Sequence, residues 1–209
     1  MSVATLILGE SGTGKTTSLR NLDPQKTILI QSVSKLLPFK ADAWQGSAFT
    51  AKNYQEALYW LDVAKKREQR KIVVIDDFQY FLAIPFMRRR QEGGWQKWTD
   101  FAGIGFDLFD KALNLRDDQR VYILGHTQTN DYGQTKIKTL GKMLDEKLIL
   151  EGLVTITLRT VVQDGKYMFS TKNNGFDTVK SPIGLFSDTL IENDLKAIDD
   201  RICEFYRIS

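Results

Sequence analysis

The stretch of this sequence that decides the fold reads Gly9-Glu10-Ser11-Gly12-Thr13-Gly14-Lys15-Thr16. It matches G-x-x-x-x-G-K-[ST] at every fixed position, the pattern of a loop whose backbone N–H groups surround phosphate. The apolar run from Val3 to Leu8 comes directly before it and predicts a strand buried on both faces. We expect a helix after it, whose N-terminus would add partial positive charge. The stretch therefore predicts a nucleotide phosphate site between a strand and a helix.

The side chains of this loop have separate expected roles. Lys15 would reach the β- and γ-phosphates of ATP and act in catalysis, while the Thr16 hydroxyl would bind Mg²⁺. A glycine-rich turn without a ligand is the alternative, and the strand before the motif argues against it. The residues expected to contact the nucleotide are Gly9, Glu10, Ser11, Gly12, Thr13, Gly14, Lys15, Thr16 and Thr17.

A second acidic element follows Lys71 and the four apolar residues 72–75. Mg²⁺ at a nucleotide needs a carboxylate nearby, and a buried strand that ends in an acid delivers one to the carboxyl edge of a parallel sheet. Asp76 is the expected Mg²⁺ residue. The sequence leaves two interpretations of Asp77 open: it is a general base for the attacking water, or it caps the next helix.

His126 is the only histidine of the chain and follows another apolar run, residues 121–124. His126, Thr127 or Gln128 would sense the phosphate and transmit hydrolysis to the adjoining loop. We expect replacement of His126 by alanine to lower turnover more than nucleotide affinity. A buried, hydrogen-bonded histidine without a catalytic role is the alternative.

The order of the elements predicts an α/β fold in one domain, residues 1–209. Four apolar runs alternate with segments of helical spacing, which is typical of a mostly parallel sheet flanked by helices. Two β-rich segments around Gln163-Asp164-Gly165 predict an antiparallel hairpin near the C-terminus, followed by a helix over residues 193–207. Residues 128–147 are polar and predict a long, mobile loop, or a short helix within one.

The bulk properties exclude several classes of protein. The 29 basic and 26 acidic residues nearly balance, so bulk charge alone does not indicate a nucleic-acid partner. Cys203 is the only cysteine, which excludes an internal disulfide and a cysteine-rich metal site. A basic leader and an apolar run of roughly 18 residues are both missing from the sequence, so we expect a cytosolic protein without a membrane partner.

With these elements in order, the chain resembles the small phage-encoded ATP-binding proteins of the RecA-like P-loop superfamily, a group that includes single-strand annealing recombinases. The resemblance implies ATP and Mg²⁺ as cofactors, and work on single-stranded DNA in phage recombination or replication. It also implies a homo-oligomer or filament, a single-strand-binding protein as a partner, and the cytoplasm of an infected bacterium as location. The blocks that carry it are residues 9–22, 37–39, 75–80, 138–147 and 180–182.

One departure from the family concerns catalysis. RecA-like ATPases usually carry a glutamate just after the second strand, whereas here Gln31-Ser32-Val33-Ser34-Lys35 follows Ile30. Either Asp77 or Glu10 replaces it as the base, or hydrolysis is slow and the nucleotide acts mainly as a conformational ligand. A basic residue from a neighbouring subunit, such as Arg159 or Lys180, is a candidate to complete the site.

The resemblance places DNA at the segment after the fourth strand. That segment holds Lys136, Lys138 and Lys142, which suit a phosphate backbone, and Tyr132 for base stacking. A solvated loop without DNA is the alternative, because lysines are common in loops. Two other functions stay open, a nucleotide-controlled helicase loader or adaptor, and a small-molecule phosphotransferase.

Overall fold

An eight-stranded sheet forms the centre of the computed structural model, which describes residues 2–141 and 147–208. The order across the sheet is β10-β9-β8-β1-β5-β4-β2-β3. In this order, the six strands from β8 across to β3 are parallel to their neighbours. Strand β9 pairs antiparallel with β8, and β10 pairs antiparallel with β9, so the prediction of a mostly parallel sheet is confirmed. The strands of this sheet are β1 Val3–Leu8, β2 Thr27–Gln31, β3 Ala48–Thr50, β4 Ile72–Asp76, β5 Arg120–Gly125, β8 Ile156–Gln163, β9 Lys166–Ser170 and β10 Leu190–Glu192.

Helices cover both faces of the sheet, because the strand residues are apolar on both sides. Leu6 and Leu8 of β1 belong to one core, and Ile7 between them belongs to the other, as the alternation of side chains along a strand requires. Helices α1, α2 and α3 pack in the first core and α4 packs in the second. Their bounds are α1 Tyr54–Lys66, α2 Tyr80–Arg88, α3 Trp95–Leu113 and α4 Leu195–Tyr206.

The helix expected after the phosphate loop is present as a short 3₁₀ helix. Thr16–Asn21 is a 3₁₀ helix rather than an α-helix, and it ends before Leu22, whose backbone is extended. So short a helix adds little dipole, and the backbone N–H groups of the loop itself must supply most of the attraction for phosphate. Two further 3₁₀ segments are Asp42–Trp44 and Leu150–Leu153.

The segment predicted as a long loop is partly a β-hairpin, so that prediction was wrong for its first half. Thr127–Thr129 (β6) pairs antiparallel with Thr135–Ile137 (β7), and the two strands form a separate small sheet. Ile137 is buried and anchors the hairpin to the first core. Lys142 lies outside the described residues.

The C-terminal part agrees with the sequence. Strands β8 and β9 are joined by Asp164 and Gly165, both with positive φ, and the register pairs Gln163 with Lys166. Two central residues of positive φ are typical of the tight turn that matches strand twist. Asp194 caps α4 by accepting a hydrogen bond from the N–H of Lys196. In the part of the chain that the structure describes, no helix combines the length and the apolar character needed to cross a bilayer.

Candidate nucleotide site

The polar residues singled out in the sequence meet at one edge of the sheet. Strands β1, β2, β4 and β5 run parallel and are neighbours in the sheet, so their carboxyl ends lie together. The phosphate loop follows β1, Asp76 is the last residue of β4, and His126 follows β5. The functional residues predicted from separate parts of the sequence therefore lie together at the carboxyl edge of the sheet.

Thr16 and Asp76 form the centre of this site. The Thr16 hydroxyl lies 3.1 Å from each of the two carboxylate oxygens of Asp76, to which it donates. Asp76 is almost fully buried, and burial, together with the charge of Asp77, raises the pKa of Asp76 to about 6. A hydroxyl and a carboxylate side by side are the oxygen donors that Mg²⁺ prefers, so the residues present fit this ion.

Lys15 folds back onto the loop to which it belongs. Its ammonium donates to the carbonyl oxygens of Gly9 at 2.8 Å and Glu10 at 2.9 Å. Burial lowers the pKa of Lys15, while the carboxylates of Asp77 and Asp76 act in the opposite direction. The cation is thus held at the loop, where phosphate oxygens would compete with neutral carbonyls for it.

Gly9 permits the close approach of the loop to strand β8. A Cβ atom at Gly9 would lie 1.8 Å from Thr160 Oγ1, a distance at which no side chain fits. Thr160 Oγ1 also lies 2.6 Å from Thr13 Oγ1, so the threonine of the loop is tied to β8 at the same point. Gly12 and Gly14 have φ of 78° and 95°, which favours glycine there.

Asp77 lies between two basic groups. Its carboxylate binds Lys35, and His126 Nε2 lies 3.4 Å from its Oδ1. Burial raises the pKa of Asp77, but the hydrogen bonds with His126 and Lys35 outweigh it and lower the pKa to about 2. The capping alternative is not what the structure has, since this carboxylate binds the two side chains and α2 begins only at Tyr80.

Lys35 is the site residue that the sequence analysis did not single out. It lies four residues after the end of β2, and its side chain reaches Asp77 beyond the end of β4. A signal existed, because β2 and β4 pair with Gln31 opposite Asp76, which brings the residues after both strands together. Using that signal requires the strand order.

The hairpin β6–β7 is connected to the phosphate loop. Thr127 donates its hydroxyl to the Glu10 carboxylate at 2.7 Å, and the N–H of Lys138 donates to the carbonyl of His126 at 2.7 Å. Lys136 and Lys138 flank the buried Ile137 and point away from the core; Lys136 is half-buried and Lys138, just after β7, is exposed. Tyr132 at its tip is 85% exposed.

The two basic residues predicted to complete the site of a neighbouring subunit lie at β8, the strand that borders β1 on the side opposite β5. Arg159 already has an acidic partner in its own chain, because its Nη2 lies 3.3 Å from Asp177. Lys180 is attached through its backbone to Thr157 of β8. Arg159 would have to leave Asp177 to serve a second subunit.

No protein-family model and no curated protein sequence matches the chain. Among solved structures, it is similar to a KaiC-like protein from the hyperthermophilic archaeon Pyrococcus horikoshii OT3, with a TM-score of 0.50 and 12% identity. The match covers 80% of this chain and 77% of that one. At this identity the likeness concerns the fold alone, and it agrees with the mostly parallel sheet and its antiparallel end. The chain has a RecA-like P-loop fold.

Proposed function

We propose that this protein is a Mg²⁺-dependent ATPase. The observation that carries the proposal is the contact between Thr16 and Asp76, residues separated by 60 positions that arrive as a matched pair of oxygen ligands beside the phosphate loop. A glycine-rich turn without a ligand has no need of a buried carboxylate at its end. A buried carboxylate whose hydrogen bonds come from a neutral hydroxyl is electrostatically unfavourable, so its place beside the loop supports a cation there.

The residues of the chain have distinct parts in this proposal. Thr16 and Asp76 would hold Mg²⁺, which when bound offsets the negative charge of the phosphate oxygens. The loop N–H groups and Lys15 would bind the phosphates, the ammonium exchanging the carbonyls of Gly9 and Glu10 for the more strongly attracting phosphate oxygens.

With a pKa of about 2, Asp77 is a weak proton acceptor. A general base works best when its pKa lies near the working pH, so Asp77 is poorly suited to that role. Its contacts favour a positioning role, in which it orients His126 and Lys35 toward the phosphate edge. His126 would then report the state of the γ-phosphate to the hairpin through its carbonyl, which accepts from the Lys138 N–H.

Phosphate release and nucleotide binding test the ATPase proposal. Lys15→Ala and Asp76→Asn should each abolish most Mg²⁺-dependent phosphate release, by about a hundredfold or more. Lys66→Ala, an exposed lysine on α1, is the matched control and should leave it unchanged. Equal release by the wild type and by Lys15→Ala would reject the proposal. His126→Ala should lower turnover more than affinity.

We propose further that the ATPase acts on single-stranded DNA as an oligomer, in phage recombination or replication in an infected bacterium. The resemblance of the sequence blocks supports this, as do the outward lysines of the hairpin and the exposed Tyr132 at its tip. The hydrogen bonds from Thr127 to Glu10 and from Lys138 to His126 offer a path by which nucleotide would alter the hairpin.

Stimulation of hydrolysis tests the DNA proposal. Single-stranded DNA should accelerate phosphate release and increase particle size in the presence of ATP. Acceleration by a small hydroxyl acceptor, with transfer of the phosphate to it, would instead indicate a phosphotransferase. Nucleotide-dependent capture of a helicase without any response to DNA would indicate a loader.

A further inference from the structure

A pocket adjoins the end of the phosphate loop beside strands β9 and β10. It has a volume of about 380 Å³ and is lined by Thr17, the last residue predicted to contact nucleotide, and by Tyr167 of β9 and Asn193. Its size falls within the range of small-molecule sites, on the order of 300–1,000 Å³. A ligand that leaves the phosphate loop past Thr17 would enter this pocket.

Asn193 carries an unpartnered amide at this place. The residue is only 2% exposed, and within the described part of the chain neither its Oδ1 nor its Nδ2 has a hydrogen-bond partner. Its backbone is nevertheless fixed, since the N–H donates to the Tyr167 carbonyl at 3.3 Å and the carbonyl accepts from Arg20. A buried amide without a partner is unfavourable, so its presence at this place calls for an explanation.

The amide and the ring of Tyr167 both lie against the phosphate loop. An atom at the Cβ position of Gly14 would be 3.0 Å from Tyr167 Cδ1, 3.2 Å from Asn193 Oδ1 and 3.3 Å from Asn193 Nδ2. Gly14 has a φ of 95°, so neither steric space nor backbone conformation admits a side chain there. The absence of a Cβ keeps the amide and the ring within reach of a molecule bound at the loop.

We infer that this pocket holds the base of the nucleotide and that the Asn193 carboxamide selects adenine, an inference that rests on the proposed nucleotide-binding function. A carboxamide presents one acceptor and one donor side by side. Adenine presents the complementary pair, its N6 amino group and a ring nitrogen, which is the pairing that asparagine makes with adenine elsewhere. The N7 and O6 atoms of guanine are both acceptors and leave the Asn193 carbonyl unmatched.

Tyr167 has the position of a movable cover. Its side chain is 49% exposed and lies beside the same point of Gly14 as the amide. Exposed side chains change rotamer within nanoseconds, so rotation of this ring would open the amide to the base. The ring would then offer its face for stacking with the base, a contact that stabilises bound bases in other proteins.

Binding measurements with three ligands separate this inference from the proposed function. The ligands are Mg²⁺ complexes of ATP, of purine riboside triphosphate, which lacks the N6 amino group, and of inorganic triphosphate. The wild type should bind ATP about five- to twentyfold more tightly than the purine riboside compound, because the N6 hydrogen bond is lost. In Asn193→Ala this difference should disappear, while the affinity for inorganic triphosphate stays the same.

The outcomes are distinguishable. Equal affinity of the wild type for ATP and purine riboside triphosphate, or an unchanged preference in Asn193→Ala, overturns the inference while triphosphate binding keeps the proposed function. If the wild type does not bind inorganic triphosphate, the proposed nucleotide-binding function is rejected. If Asn193→Ala fails to fold, the isosteric Asn193→Asp removes the donor and must also lower ATP affinity. Tyr167→Leu should weaken ATP binding but not triphosphate binding, and Tyr167→Phe should retain both.

Discussion

The ammonium of Lys35 binds the carboxylate of Asp77, which lies 42 residues further along the chain. The contact is made at the carboxyl edge of the sheet, next to the residue pair Thr16 and Asp76. Burial lowers the pKa of Lys35, but the Asp77 hydrogen bond and the nearby carboxylates outweigh it and raise that pKa. A positive charge on Lys35 is thus held beside the Mg²⁺ residue pair and holds the carboxylate of Asp77 in place.

Replacement of Asp77 distinguishes a base from a positioning residue. Asp77→Asn keeps one oxygen acceptor, for either His126 or Lys35, and the shape of the side chain, whereas Asp77→Ala removes both acceptors. If Asp77 positions its neighbours, turnover at saturating ATP should fall by less than about tenfold in Asp77→Asn and by clearly more in Asp77→Ala. A general base would instead give losses of about a hundredfold or more in both variants. Phosphate release by both variants, with ATP affinity measured alongside, makes the comparison.

The central pair was predictable from sequence because each member carries its own signal. Thr16 ends a motif with fixed spacing, and Asp76 ends an apolar run, so both reach the carboxyl edge of a parallel sheet wherever the strands lie. Lys35 follows β2 in a stretch without any such pattern. Its role depends on β2 being the neighbour of β4, a long-range pairing that local periodicity does not encode.

Short elements escaped the sequence analysis for a similar reason. β10 has three residues, Leu190–Glu192, too few to show alternation, yet it places Asn193 against the phosphate loop. Asn193 falls within the helix predicted for residues 193–207, but α4 begins at Leu195 and Asp194 makes its capping hydrogen bond. The hairpin β6–β7 was hidden likewise, because its three-residue strands are polar except for Ile137.

The stability of the metal-free protein should depend on pH through Asp76. Its pKa is raised from 3.8 to about 6, so the folded state holds this proton more tightly than the unfolded chain. The resulting stabilisation is complete below the unfolded pKa and is lost as the pH rises through about 6. Relative to Asp76→Asn, the wild type should gain about 1 kcal/mol of unfolding free energy between about pH 7.5 and about pH 5.

Urea unfolding with a chelator present, at several pH values in that window, provides this measurement. Asp76→Asn is the matched control because it preserves shape and removes the titration. Since other groups titrate in both proteins, only the difference between them counts. If the difference in unfolding free energy between the two proteins does not change with pH, folding does not raise the pKa of Asp76.

Gly9→Ala should destabilise the protein by steric conflict with Thr160. The added methyl would lie 1.8 Å from Thr160 Oγ1, and overpacking of this kind costs about 1–3 kcal/mol. Thr160→Ala alone should cost about 1 kcal/mol through its lost hydrogen bonds with Thr13 and the Leu8 carbonyl. Because it also makes room, the double variant should be more stable than the sum of the single effects predicts.

Denaturant unfolding of the four proteins in this cycle gives the coupling free energy. Additive effects would show that the loop relaxes away from β8 without conflict. In that case Gly9→Ala should also keep its nucleotide affinity, since the loop would have room to adjust.

Lys136 and Lys138 of the hairpin should make the affinity for DNA depend on the salt concentration. Neutralising Lys136 and Lys138 together should reduce the slope of log affinity against log salt by roughly 1.4, because each phosphate contact on a single strand contributes about 0.7. Tyr132→Leu should weaken binding by about 1–3 kcal/mol with the slope unchanged, since stacking releases no counterions. Lys65→Ala with Lys66→Ala on α1, and Tyr59→Leu on the same helix, are matched controls. Fluorescence anisotropy with a labelled oligonucleotide and ATP gives both quantities, and equal slopes for the hairpin and control variants would place DNA elsewhere on the protein.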